Sequence, residues 1–215
     1  MPIDTLILIP TAFESDLIES QLSRFAETRT TIVTHCGFGP AAAAAVATES
    51  ILAYQPNRVV LLGIAGAYQS TGNDFSIGQA YRFGAVAVDG IGVGEGNEFQ
   101  SANDLGWAQF AGDNHRPAVS DEIELASKSA HRLLTVCAAS ATPDQAQRRQ
   151  QRYGASAEDM EGFAVALACR LRNVPLEIIR GISNSAGDRN KSNWAIPAAM
   201  GAAAEELGVV LGESA

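Results

Sequence analysis

The feature that most narrows the fold of this chain lies in residues 162–185, where an apolar helix runs almost directly into an apolar strand. Phe163, Val165, Ala166, Cys169 and Leu171 spread apolar surface widely around a helix, and Arg170 and Arg172 sit in its last turn. Asn173, Val174 and Pro175 break it. The β-branched run from Leu176 to Ser183 then reads as an interior strand in spite of Glu177 and Arg180. Such a helix is mostly buried and such a strand is covered, which calls for a layered α/β domain.

The remaining chain repeats this alternation. Thr5–Ile9 reads as a buried strand, with a turn at Pro10, Thr11 and Ala12 into a helix beginning near Phe13 and Glu14. Thr31–His35 reads as a second strand, followed by a nearly pure alanine helix from Ala41 to about Tyr54, a composition suited to close packing on a sheet. Arg58–Ile64 is a third strand, residues 69–77 a loop, and Gly78–Val88 a loosely alternating strand. His131–Ala139 reads as a strand. A polar helix follows, with Thr142 as N-cap, Pro143 in its first turn and Gly154 at its end. Its Arg148, Arg149 and Arg152 read as a solvated face. A last helix starts near Asn193. The β-α-β-α-β order indicates one α/β domain over residues 1–215, in three αβα layers.

Composition limits the partners. With 215 residues, 47% hydrophobic and 18% charged, the chain can bury one substantial core. A net charge of −9 argues against nucleic acid or an anionic membrane and leaves a small molecule as the expected ligand. Cys36, Cys137 and Cys169 have no metal-ligand spacing and read as buried, reduced thiols, so no metal and no cofactor are expected. The first residues lack the basic region of a leader, and no run reaches the roughly 18 apolar residues of a membrane span. A cytoplasmic location is expected.

The candidate site residues lie at strand ends and helix starts, where ligands of open α/β sheets gather. Glu161 opens the helix of residues 162–173 and Asn184 closes the strand after it, so the two can face one ligand. They can also be simple caps in a nucleotide-binding module without catalysis. Glu14, with Asp16 and Glu19, can equally complement the positive end of a helix dipole. The glycines of Cys36-Gly37-Phe38-Gly39-Pro40 allow a phosphate cradle or tight packing. Gly63 and Gly66 let a ligand approach the backbone around Ala65. Asp188 can act through water as an acid, or close its own loop. The glycine-rich stretch Gly90–Phe99, with Trp107 and Phe110, has the composition of a substrate cover, a subunit contact or a mobile surface loop. His115 reads as a bystander in a turn.

Three segments carry a resemblance. Met160-Glu161-Gly162 with Ala164, the strand end Ile182-Ser183-Asn184, and Gly63-Ile64-Ala65-Gly66-Ala67-Tyr68 resemble the nucleoside phosphorylase and nucleosidase superfamily, most strongly over residues 158–197 and least over 92–130. The resemblance implies a three-layer fold with a central mixed sheet. It implies a purine nucleoside as ligand and often a homo-oligomer, at least a dimer, whose neighbouring subunit completes the site. It also implies roles: Glu161 binds the ribose 2′ and 3′ hydroxyls and Met160 packs on the sugar. Thr11-Ala12-Phe13-Glu14 is similar to a turn whose Glu activates the attacking water, and Ala65 and Gly66 line the ribose pocket. The chain departs from phosphorylases at Ile64, where they keep a Ser or Thr for phosphate, and its first loop has no arginine, so water is the expected nucleophile. Asn184 replaces the Asp of adenine-specific members, and its amide favours a 6-oxopurine. The run from Ile182 to Trp194 resembles that of a hypoxanthine-releasing hydrolase branch.

Overall fold

A computed structural model of the chain describes residues 3–26, 30–69 and 75–212. The first half runs β1 (Thr5–Ile9), α1 (Ala12–Asp16), α2 (Glu19–Ala26), β2 (Thr31–His35), α3 (Pro40–Tyr54) and β3 (Arg58–Ala67). Short strands β4 (Ala80–Arg82), β5 (Ala85–Val88), β6 (Gly92–Val93), β7 (Gln100–Ser101) and β8 (Glu122–Glu124) follow. The second half runs β9 (Arg132–Thr135), α4 (Pro143–Tyr153), β10 (Ala157–Asp159), α5 (Gly162–Arg172), β11 (Leu176–Ser185) and α6 (Ile196–Leu211).

Side-chain alternation along the central strands sorts the helices into two outer layers. Leu6, Leu8, Val59, Leu61 and Ile178 face one side and meet Ala43, Ala47 and Ile51 of α3 and Phe163–Cys169 of α5. Ile7, Ile9, Val60, Leu62 and Ile179 face the other and meet Leu22 and Phe25 of α2 and Met200, Ala203, Ala204 and Leu207 of α6. These layers match the three-layer expectation. The sheet is mixed: β1 is parallel to β2 and β3, β11 is parallel to β3, and β10 is antiparallel to β3 but parallel to β9.

One detail of this sheet makes the site. Along one edge of β3, β1 covers Arg58–Leu61 and β10 covers only Gly66 and Ala67, while β11 covers the opposite edge from Val59 to Ala67. Among the described residues, that first edge has no strand partner between Leu61 and Gly66.

Several expectations are corrected. Residues 78–88 form two strands, because β4 pairs with β11 whereas β5 pairs with β8 and β9. The strand expected over 131–139 stops at Thr135, and β8 and β10 are too short to show a sequence pattern. The glycine-rich stretch is a small hairpin of β6 and β7 around a 3-10 turn at Gly96–Glu98. Of the loop expected at 69–77, residues 70–74 lie outside the described residues. Lys191–Leu211 is long and apolar enough to cross a membrane by length and composition, contrary to the reading above. In the fold, α6 lays its Ala-rich face on β11, β3 and β4. Cys137 is exposed, unlike Cys36 and Cys169. Arg149 is not on a solvated face: its side chain is 14% exposed and paired with Asp89.

Candidate active site

The uncovered edge of β3 is filled by a side chain. The backbone N–H of Ile64 donates to Glu14 Oε1 at 3.1 Å. Thr11, the N-cap of α1, accepts the Glu14 N–H and donates its hydroxyl to Glu14 Oε2 at 2.7 Å. Glu14 is therefore buried and held at both oxygens, which goes well beyond complementing a helix dipole.

Glu161 is held from two other elements. It stands at the N-cap position of α5 but makes no side-chain cap bond, so it does not serve as a simple cap. Its Oε1 accepts the Gly39 N–H at 3.0 Å and its Oε2 accepts from Arg180 Nη2 at 3.4 Å. Gly39 has φ +81°, a conformation that favours glycine, and this aims its N–H into the site. Its partner there is the Glu161 carboxylate, so the glycine pair is not a phosphate cradle.

Arg180, which breaks the apolar pattern of β11, is fully buried. Its Nε and Nη2 donate to Asp159 Oδ2, which also accepts from Gly162 N–H, while Thr135 holds the other Asp159 oxygen. Arg180 Nη1 has no hydrogen-bond partner among the described residues. It occupies the space above Gly63, 2.1 Å from where a Cβ would stand, and Glu14 Oε1 lies 2.9 Å from the same point. Gly63 thus makes room for Arg180 rather than for a ligand. Burial pushes the Glu161 carboxyl up to about 7, against the opposing pull of Arg180 and with the Asp159 and Glu14 carboxylates adding to it. Glu161 has only one long contact to Arg180, because Asp159 takes the two better ones. Burial works against the Arg180 charge, and the carboxylates of Asp159, Glu161 and Glu14 outweigh it, raising the guanidinium above its ordinary value. Cys36 is buried within the fields of these groups, and desolvation pushes its thiol to about 12.

At the end of β11 the register shifts between Ile182 and Asn184, turning Asn184 into the site. Its Nδ2 donates to Ser185 O at 2.8 Å and its Oδ1 accepts from Ser183 Oγ at 2.8 Å. A carbonyl can only accept, so the amide orientation is fixed and one N–H remains for a ligand.

These groups line one cavity of about 460 Å³ with Ala65, Gly66 and Met160. Six of the seven sequence-derived candidates thus converge. Asp188 does not line it: its carboxylate accepts from Asn190 N–H and Asn193 Nδ2, and these bonds hold its carboxyl below the usual range, which suits loop closure and not an acid. The braced loop carries Arg189, Lys191 and Trp194 to the cavity rim, with the Arg189 guanidinium 5.2 Å from the Trp194 ring. Neither cation makes an ion pair among the described residues. Phe13 and Phe38 are exposed beside them at 60% and 68%. Sequence reasoning missed Asp159, Arg180 and Glu158; the cluster of three carboxylates in Glu158-Asp159-Met160-Glu161 beside a charged interior strand was the available signal. Among the described residues no group of three or more side chains could hold a metal ion.

The phosphorylase superfamily model matches residues 20–213. The futalosine hydrolase of Thermus thermophilus is 30% identical over 97% of this chain and 95% of that protein. The solved futalosine hydrolase of Helicobacter pylori superposes with a TM-score of 0.79 at 17% identity, over 99% of this chain and 98% of that one. The 5′-methylthioadenosine/S-adenosylhomocysteine nucleosidase of the same organism, solved with butyl-thio-DADMe-Immucillin-A, gives 0.76 at 18% identity over the full length of both chains. At such identities the two structures speak to the fold alone.

Proposed function

We propose, from the premise that this chain belongs to the phosphorylase superfamily, that it is a purine nucleosidase hydrolysing futalosine with release of hypoxanthine. The observation that carries the chemistry is the convergence of Glu14, Glu161 and Asn184 on one cavity, with Arg180 holding the Glu161 carboxylate.

Each group has a task. Glu161, as an anion, accepts hydrogen bonds from the ribose 2′ and 3′ hydroxyls and stabilises positive charge developing at C1′. A water held by Glu14 supplies the nucleophile, and its oxygen bonds C1′ as its proton passes to Glu14. The C1′–N9 bond breaks with its electron pair going to the purine. The remaining Asn184 N–H donates to the base and stabilises that charge without giving up its proton, and solvent protonates the departed base. Ile64 offers no side-chain donor to phosphate, and its backbone N–H is spent on Glu14, which supports water as nucleophile.

The rival substrate is methylthioadenosine. Asn184 supports a 6-oxopurine over adenine, and the rim cations Arg189 and Lys191 suit a negatively charged 5′ substituent better than a methylthio group. Purified protein assayed on both nucleosides without phosphate tests the reading: hypoxanthine release is expected to dominate. Faster adenine release would overturn the 6-oxopurine assignment, and phosphate-dependent formation of a ribose 1-phosphate would restore phosphorolysis.

The name of the Thermus thermophilus relative, futalosine hydrolase, supports a place in menaquinone biosynthesis through futalosine, and we infer a cytoplasmic location. We also infer a homo-oligomer of at least two copies, for which Ile91, Val93, Leu105 and Trp107, exposed on and beside the β6–β7 hairpin, offer an apolar surface.

A further inference from the structure

The wall of the cavity formed by residues 136–141 is held with more charge than loop closure requires. Glu158, 5% exposed on β10, accepts the Ser140 N–H at 2.7 Å on Oε1, and the Ser140 hydroxyl at 2.6 Å and the Tyr68 hydroxyl at 2.8 Å on Oε2. Arg149 of α4 reaches the same carboxylate at 3.5 Å, and it donates to Ser140 Oγ and to Ala138 O at 3.0 Å. Its Nε is tied to Asp89, which also accepts from Tyr153. At the other end the Val136 N–H donates to Asp159 O.

Burying a carboxylate and a guanidinium costs several kcal/mol per ion before their pairing offsets it, and apolar packing would close a short loop as well. What the charged clamp adds is precision. It fixes Ala138 by its carbonyl and Ser140 by its N–H and hydroxyl. The residue between them, Ala139, lines the cavity, and its backbone N–H and C=O have no partner among the described residues. Loop backbone with an unspent donor and acceptor side by side can pair with the edge of a planar base, provided it does not drift: misplacement by about 1 Å can cost on the order of 10²-fold.

We infer that Glu158 is a positioning residue for the leaving base, holding the 136–141 loop through Ser140, with Arg149 as its brace, so that the Ala139 backbone reads the base edge. This rests on the nucleosidase reading above. It assigns Glu158 a part in base selectivity and none in ribose binding or bond breaking.

The test compares two ligands by calorimetry on the full chain: hypoxanthine, and a pyrrolidine ribose mimic without a base. Glu158→Gln keeps the shape and an acceptor for the Ser140 N–H but removes the charge facing Arg149 and sets an amide NH₂ against two hydroxyls. The expected result is a rise of about tenfold or more in the hypoxanthine Kd with little change for the ribose mimic. Ser140→Ala, which keeps the N–H bond to Glu158, should shift the same ratio by about threefold, and it carries the test if Glu158→Gln does not fold. An unchanged hypoxanthine Kd, or an equal loss for both ligands, would overturn the inference while leaving the nucleosidase reading intact. Wild-type protein that binds neither ligand would overturn both.

Discussion

Glu14 accepts the backbone N–H of Ile64 at 3.1 Å on the stretch of β3 that neither β1 nor β10 covers. A gap in the sheet is thus closed by a carboxylate, and in the proposed reaction the group that completes the hydrogen-bond pattern also takes a proton from water. Glu14→Gln keeps an acceptor for Ile64 and an NH₂ that Thr11 Oγ can accept from, so the fold should persist. Turnover should fall about 10²- to 10⁴-fold with hypoxanthine affinity little changed. A variant with wild-type turnover and a lower Tm would make Glu14 a structural plug only.

Gly63 and Gly66 lie three residues apart on the same strand and should respond to alanine in opposite ways. A Cβ on Gly63 would come within 2.1 Å of Arg180 Nη1 and 2.9 Å of Glu14 Oε1. Arg180 is locked by Asp159, so Gly63→Ala should lose about 1–3 kcal/mol of stability, as overpacking does, and turnover with it. A Cβ on Gly66 meets nothing closer than 3.4 Å. Gly66→Ala should keep its Tm and raise KM by crowding the cavity. Urea melts and steady-state kinetics on both variants check the contrast, and equal melting midpoints for the two would contradict it.

The raised Glu161 carboxyl gives a pH signature in both stability and rate. Burial holds it at about 7 in the fold against an ordinary value of 4.5, so between those values the native state holds a proton that the unfolded chain has released. Native-state proton excess makes stability fall as pH rises, so this contribution is fully present below about 4.5 and is lost as pH climbs to about 7. The proposed reaction needs the anion, so kcat/KM should rise through the same region. Glu161→Gln should remove both trends, gaining most in relative stability above pH 7. A kcat/KM profile that is flat from pH 5 to 8 in the wild type would exclude the anion requirement.

How much of this was legible follows from where each signal lies. Glu161 and Asn184 stand at the ends of two strongly patterned elements, and Glu14 follows a strand and turn, so periodicity alone brings them near one crevice. Arg180 could not be read in this way. In sequence it is a violation of an interior strand, and its meaning depends on Asp159, a partner reached only after β10 and β11 have paired with opposite edges of β3. β10 itself spans three residues, too few for any period, yet it carries Glu158 and Asp159. Asp188 misled for the opposite reason: a carboxylate four residues from Asn184 looks available until Asn190 and Asn193 close around it. Arg149 looked solvated because α4 is polar nearly all round, and only the loop it clamps shows which way it faces.

Asn184 is the residue on which selectivity between purines should turn. Ser185 O accepts from its Nδ2 and Ser183 Oγ donates to its Oδ1, so the amide is held by a neighbour that can only accept and one that is donating. Asn184→Asp puts a carboxylate oxygen against the Ser185 carbonyl. Two acceptors in contact at a site 8% exposed favour protonation of the new side chain. That proton is shared between the carbonyl and any base nitrogen, so the variant loses a fixed donor toward a 6-oxopurine and gains a weak acid toward an aminopurine. A site built around a polar group can reject the wrong partner by as much as about 10⁴-fold, but one admitted water recovers much of this, which sets the expected shift in the ratio of kcat/KM values nearer 10²-fold. Most of the shift should come from lost hypoxanthine release, because the loop backbone around Ala139 is unaltered. The measurement is kcat/KM for 6-oxo and 6-amino nucleosides sharing one 5′ substituent, in wild type and variant. An unchanged ratio would mean that Asn184 does not touch the base and would leave selectivity to the loop that Glu158 holds.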